Sequence, residues 1–459
     1  MTETGSEDFG RDVERSDEHE VETAEAEATN YIRERAAELA PEMIDIQTDI
    51  HKNPELGGEE VRTAGKVVEY LRSLGIEVIG QNIGLSTGEG EDHFRGTGVV
   101  GLIRGNGNGK TVALRADMDA LPVQEVGTNE PRSAVDGKMH GCGHDVHTAS
   151  LLGAAKMLQE LAQKGQLDGD VLLIFQPSEE KTHQKESGAV QIVRFLEENG
   201  WRDKIGAFLG LHVFRSIERG MIRVKEGVHM ASSGEIEIKL HASGGHIMNA
   251  YEIPNLNVIF SRLTVRLDEV FRPIYEQKKG LIASGRTEFS GKGYNVLPAQ
   301  GESTWVVRIA DPLYREISKD ALNQIRTIVQ EEAVRSGLGK EDIEVVPRQG
   351  YRPVIHRDAE LVHMVREAAS EVLPNYQLSP QSDQVMFAGE DFSTYLELLR
   401  GRQINGVFVQ VGGANPAEGI PTGPHHAPDF RVDPNSTVDL AEIYANFAQH
   451  FVNQPESEA

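Results

Sequence analysis

The segment Met139-His140-Gly141-Cys142-Gly143-His144-Asp145 holds the only cysteine of a 459-residue chain, two positions before a histidine. A thiolate and an imidazole at that spacing suit one soft or borderline divalent metal ion. Further along, the apolar run Asp170–Gln176 passes through Pro177 and Ser178 into two adjacent carboxylates, Glu179 and Glu180. Asp117 and Asp119 follow another apolar run, Thr111–Ala116. In an extended chain positions i and i+2 point to one face, so both carboxylates can line one cleft. His212 closes a third run, and His425 and His426 sit in a Gly-Pro-His-His loop.

These residue types form a coherent chemical set. Two metal ions can clamp a water-derived nucleophile and a substrate oxygen if protein ligands leave coordination positions open. Cys142, His144, Glu180, His212 and one of His425 or His426 supply such a set. Glu179 is then left over beside a ligand, where a carboxylate can take a proton from water and later deliver it to a leaving amine. Asp119 is suited to hold a ligand imidazole in one tautomer. A closed structural zinc site fits less well, because it uses four Cys or His ligands and no spare adjacent carboxylate.

The elements that must position these groups alternate. Helical spacing runs over Tyr31–Lys52 and Glu59–Leu74. Buried strands are predicted at Gly98–Ile103, Thr111–Ala116, Asp170–Gln176 and Ala207–Val213, with helices at His147–Gln163 and Ala189–Asn199. Alternating strands and helices imply an α/β fold with a mixed, largely parallel sheet flanked by helices, and ligands in such sheets sit beyond the carboxyl ends of the strands. Past residue 229 the style changes. Glu235–Leu240 alternates with period two, Ser303–Ile309 does the same, and Pro312–Ser336 reads as a long helix. We therefore expect an inserted α+β domain at 230–345, inside a discontinuous domain formed by 29–229 and 346–452. The second part of that domain carries helices at Ala359–Val372, Phe392–Arg400 and Val438–Phe451 and a strand at Val407–Val411. Residues 1–28 hold eleven acidic residues and two arginines, and are expected to be a disordered acidic tail; 453–459 form a second tail.

Composition narrows the partners. A net charge of −26 argues against nucleic acid, whose phosphates need clustered Lys and Arg, and against anionic lipid. The acid excess runs along the whole chain, which reads either as a surface suited to high salt or as an ordinary acidic protein. One cysteine cannot form an internal disulfide. There is no run of apolar residues long enough for a membrane span and no basic-then-apolar start typical of a signal peptide, so the expected location is the cytoplasm.

At the chemistry-bearing residues the sequence resembles the dinuclear metal amidohydrolases of the aminoacylase type, which include hippurate hydrolases, auxin-conjugate (indole-acetyl amino acid) hydrolases and N-acyl-amino-acid amidohydrolases. Eight ordered segments carry the resemblance: His51-Lys52-Asn53-Pro54-Glu55-Leu56, Arg115–Pro122, Met139–Asp145, Phe175–Glu180, Gly210–Val213, Asn295-Val296-Leu297-Pro298, Gly389–Ser393 and His426-Ala427-Pro428-Asp429-Phe430. It covers about Tyr31 to Phe451. The resemblance implies a zinc-peptidase-like catalytic domain with an inserted dimerisation or lid domain. It implies metal ligands at Cys142, His144, Glu180, His212 and His426, with Glu179 as base and Asp119 in support. It matches His246 to a lid histidine that steadies an oxyanion in the partner subunit's site, and Asn295 to a lid residue near substrate. The implied cofactors are two divalent ions, zinc or manganese, with cobalt also suited. The implied reaction is hydrolysis of a small-molecule N-acyl amino acid by a homodimer. A metallo-dipeptidase or carboxypeptidase of the same superfamily is the nearest alternative, and a non-catalytic metal-binding protein on the same scaffold is another. Two stretches depart from the family pattern: Ile247–Tyr251 is bulkier after His246, and Lys181–Glu186 replaces a glycine-rich continuation after Glu180.

Overall fold

The computed structural model describes residues 7–84, 96–127, 130–180, 186–291, 293–397, 405–420 and 423–454. The chain divides into two compact units: Met1–Lys225, His356–Asp383 and Tyr395–Ala459 form one, and Glu226–Ile355 with Gln384–Thr394 form the other.

The first unit is built on an eight-stranded sheet. Its order is Glu77–Ile83, Gly98–Ile103, Val171–Gln176, Thr111–Asp117, Ile205–Glu218, Asn405–Ala414, Met221–Arg223 and Gln377–Leu378. The four central strands run parallel, while the antiparallel pairings lie toward the edges. The strands Gly98–Ile103, Thr111–Asp117 and Val171–Gln176 are buried along their whole length. That explains why they read as continuous apolar runs rather than as alternation: both faces are covered. The helices His144–Gln163 and Ser436–Val452 pack on each other and on the first helix. Together they close a core that includes Met43, Leu151, Leu158, Ile443 and Phe447.

The first helix departs from expectation. It spans Glu7–Lys52, so helix covers most of the stretch read as a disordered acidic tail; Glu and Ala are frequent there and favour helix. Ala28 and Ile32 of this helix are buried in the core. Residues 1–6 and 455–459 lie outside the described residues. The helix expected from His147 begins three residues earlier, at His144. The helix expected over Phe392–Arg400 is Ser393–Glu397, and its predicted end lies outside the described residues.

The second unit is a four-stranded antiparallel sheet in the order Gly280–Phe289, Gln300–Ile309, Gly234–His241, Ile343–Gln349. Burial alternates along Gln300–Ile309, with Trp305 and Ile309 on the inner face against Phe260 and Leu267 of helix Leu256–Glu276 and Ile325 of helix Tyr314–Arg335. A one-sided sheet gives the period-two pattern seen in the sequence. A short separate ladder pairs Gly245–His246 with Val296–Leu297. No helix among the described residues is long and apolar enough to cross a membrane.

Candidate metal centre

The site lies where two central strands part. Thr111–Asp117 pairs with Ile205–Glu218 only as far as Arg115 opposite Gly210. Past that point the Tyr444 hydroxyl accepts from the Leu211 amide (3.1 Å) and donates to the Arg115 carbonyl. The Val213 amide donates instead to His147 Nε2 at 2.9 Å. Side chains thus satisfy buried backbone groups that a neighbouring strand would otherwise hold. On its other side Ile205–Glu218 stays paired with Asn405–Ala414, His212 lying opposite Gln410. His212 was expected to end its strand. It lies within one, because this second neighbour continues past it.

Cys142 and His144 lie on the turn into the next helix. Gly143 caps the helix that starts at His144 with φ 86°, and a Cβ on it would stand 2.4 Å from Val213 Cγ1. Only glycine meets both demands. His144 Nδ1 donates to the Asp119 carbonyl at 2.8 Å and lies 3.3 Å from its carboxylate. Its Nε2 is buried with no hydrogen-bond partner among the described residues. The Asp119 carboxylate also receives the amides of Glu179 (3.1 Å) and Glu180 (2.9 Å). The turn entering these glutamates places Ser178 at φ 50°, and the buried Glu60 carboxylate accepts its amide at 2.8 Å. His426, at φ 65°, anchors its amide on the Gly141 carbonyl (2.8 Å) and sets its Nε2 2.9 Å from Glu180 Oε1.

Donor atoms of Cys142, His144 and His212 lie within 4.8 Å of one another, as do those of Cys142, Glu180 and His426, and those of His144, Glu179 and Glu180. All five expected ligands and the expected base are therefore joined through shared members. Cys142 Sγ is 3.4 Å from His212 Nε2. His425 joins none of these groups; its Nε2 is 3.3 Å from the Val213 carbonyl. His246 and Asn295 belong to the second unit, where Met248 donates its amide to His246 Nδ1 and Ile247 its amide to the Asn295 carbonyl. The departing stretch after Glu180 lies outside the described residues at 181–185.

A fourth group of suitable spacing, Asp117, His144 and His147, is already committed. Asp117 Oδ1 accepts from His147 (2.6 Å) and Oδ2 from Arg115 (2.6 Å), while His147 spends its other nitrogen on Val213. Burial would raise the Asp117 carboxyl, but Arg115 and the two imidazoles hold it well below the usual range. Sequence reasoning missed His147 and Glu60. The spacing of His144 and His147 on one helix face was a usable signal for the first; nothing marked Glu60.

The protonation pattern suits a cation. Burial, then Glu180, pushes the Cys142 thiol up. Burial opposes charge on His144, but Asp117, Asp119 and Cys142 outweigh it and hold its pKa well above normal. Cys142 and Glu180 push His426 up to about 10, whereas burial takes His212 well below its ordinary value. A divalent ion would displace the protons that Cys142, His144 and His426 hold, and His144 Nε2, buried without a hydrogen-bond partner among the described residues, would then have a lone pair to offer it. The residues present therefore fit a bound metal.

The match to a family model completes the assignment of class. The chain belongs to Peptidase family M20/M25/M40, whose model matches residues 113–450. It is 31% identical to Thermostable carboxypeptidase 2 of Saccharolobus solfataricus over 417 residues, covering 91% of this chain and 97% of that protein. It is also 31% identical to N-acetylcysteine deacetylase of Bacillus subtilis over 416 residues, covering 88% and 96%. Among solved structures, the Bacillus subtilis YxeP protein, described as a dinuclear metal-binding peptidase of the M20 family, superposes with a TM-score of 0.68 at 28% identity over 90% of this chain and 98% of that one.

Proposed function

We propose that this hydrolase cleaves the amide bond of N-acyl amino acids, releasing a carboxylic acid and an amino acid, with two divalent ions held by Cys142, His144, Glu180, His212 and His426. The observation that carries the reading is the carboxylate of Glu179 grouped with His144 and Glu180: an acidic group set beside two of the proposed ligands. When bound, such ions supply Lewis acidity toward water and toward the amide carbonyl. Glu179, buried beside that pair, takes the proton of the attacking water and returns it to the departing nitrogen. Asp119 holds the amides of both glutamates and orients His144. On motif grounds His246 is assigned to the oxyanion, Asn295 to substrate binding and the second unit to dimerisation. A thiolate among the ligands fits zinc, with manganese or cobalt tolerated by the carboxylates. It also fits a reducing compartment such as the cytoplasm, where a lone cysteine stays free.

The test is Glu179→Gln. Near-normal metal content with turnover down by several orders of magnitude is expected, and unchanged turnover removes the base assignment. A peptidase reading competes, because one relative is named a carboxypeptidase and another a deacetylase of an N-acyl amino acid. Both cut an amide whose amine is an amino acid. Release of amino acid from a panel of N-acyl amino acids and of dipeptides, with metal-stripped and re-metallated enzyme, separates the two.

A further inference from the structure

We propose that His147, not itself a ligand, is a positioning residue for the metal centre: it determines which ring nitrogen His212 presents to Cys142. The inference rests on the metal-centre reading above. The contacts form a short relay. Asp117 Oδ1 accepts from His147 Nδ1 at 2.6 Å, which places the ring hydrogen on Nδ1 and leaves the Nε2 lone pair for the Val213 amide at 2.9 Å. Val213, held by that amide, turns its carbonyl to His212 Nδ1 at 2.8 Å. With Nδ1 of His212 committed as donor, Nε2 carries the lone pair, and Nε2 is the atom 3.4 Å from Cys142 Sγ.

Each member of the relay is buried, and the two rings meet edge-on with centroids 4.5 Å apart. Arg115 holds the second oxygen of Asp117 at 2.6 Å, so the carboxylate is not drawn off toward His144, whose Nε2 is 3.7 Å away. The relay exists because the strand ladder beside Val213 ends at Arg115 and Gly210. His147 stands in for the missing strand, and in doing so couples the backbone beside one ligand to a fixed anion. A core histidine that merely filled space would need neither polar contact.

The two contacts can be removed separately. His147→Gln keeps an acceptor near the Nε2 position for the Val213 amide, and His147→Asn keeps a donor near the Nδ1 position for Asp117. The full-length enzyme is stripped of metal and titrated with Co2+, following the thiolate-to-cobalt absorption, with thermal unfolding of the metal-free proteins alongside. His147→Asn is expected to weaken Co2+ binding about 10–100-fold and alter the thiolate band, while His147→Gln stays within about threefold of the unsubstituted enzyme. The two variants should unfold at similar temperatures. Equal losses in both variants, or none in either, overturn the positioning role. Should neither variant fold, 15N-histidine spectra of the unsubstituted metal-free enzyme near neutral pH decide: His147 and His212 should each carry hydrogen on Nδ1, and hydrogen on Nε2 of His212 overturns the proposal. If the unsubstituted enzyme takes up no Co2+, the metal-centre reading falls and this inference with it; equal loss in Gln and Asn removes the relay alone.

Discussion

His144 Nδ1 lies 2.8 Å from the Asp119 carbonyl oxygen, while the Asp119 carboxylate spends itself on the amides of Glu179 and Glu180. The main-chain acceptor survives substitution of Asp119, but the anchor of the glutamate pair does not. Asp119→Ala should therefore weaken metal binding by about tenfold, with a larger loss in kcat/KM. Metal analysis and steady-state kinetics check this; equal losses in both quantities would show that Asp119 acts only through metal binding and not through the placement of Glu179.

The adjacent histidines 425 and 426 have different surroundings. His426 Nε2 is 2.9 Å from Glu180, whereas His425 faces the Val213 carbonyl at 3.3 Å. His426→Ala should lower metal bound per chain and reduce turnover by more than about a hundredfold, against less than about tenfold for His425→Ala. The reverse ranking would reassign the ligand.

Gly143→Ala meets two obstacles at once, a φ of 86° and a Cβ 2.4 Å from Val213 Cγ1. A side chain forced into that backbone region costs about 1–3 kcal/mol, and the overlap with a packed valine adds to it. Urea unfolding should register the loss, and an unchanged midpoint would mean that the Cys-Gly-His turn can relax away from Val213.

The buried His51 sits 2.9 Å from Asp145 and 3.5 Å from Glu125. Burial opposes its charge, but the two carboxylates prevail and raise its pKa from 6.5 to about 9. A histidine raised in the folded state contributes stability that is complete below the unfolded value and is lost as pH climbs through the folded one. Between those two values the enzyme should lose about 1–3 kcal/mol of unfolding free energy that His51→Gln does not lose. Parallel urea midpoints for the two proteins across this range would refute the charge assignment.

The parallel strands and the residue types that the fold gathers at the candidate centre were legible because each obeys a local rule. A strand buried on both faces is mostly apolar, and Cys, His and carboxylate side chains are the usual protein donors to a divalent metal. What escaped was relational. The extension of the His212 strand to Glu218 depends on a partner strand nearly two hundred residues away in sequence. His147 and Glu60 act by accepting backbone amides, and any buried polar residue can be recruited for that once the strands diverge. The motif His51–Leu56 drew attention as part of a family pattern; in the fold Glu55 caps the helix Val61–Ser73 through the amides of Arg62 and Thr63. Over residues 7–28 composition recorded the scarcity of large apolar side chains but not the helix preference of Glu and Ala.

Because the chain has a single sulfhydryl and that sulfur sits against an imidazole inside the proposed centre, the molecule carries its own gauge of loading. Any thiol-selective reagent counts one atom only. Its rate of attack separates enzyme whose sulfur is tied up from enzyme whose sulfur is idle, with no second cysteine to blur the signal.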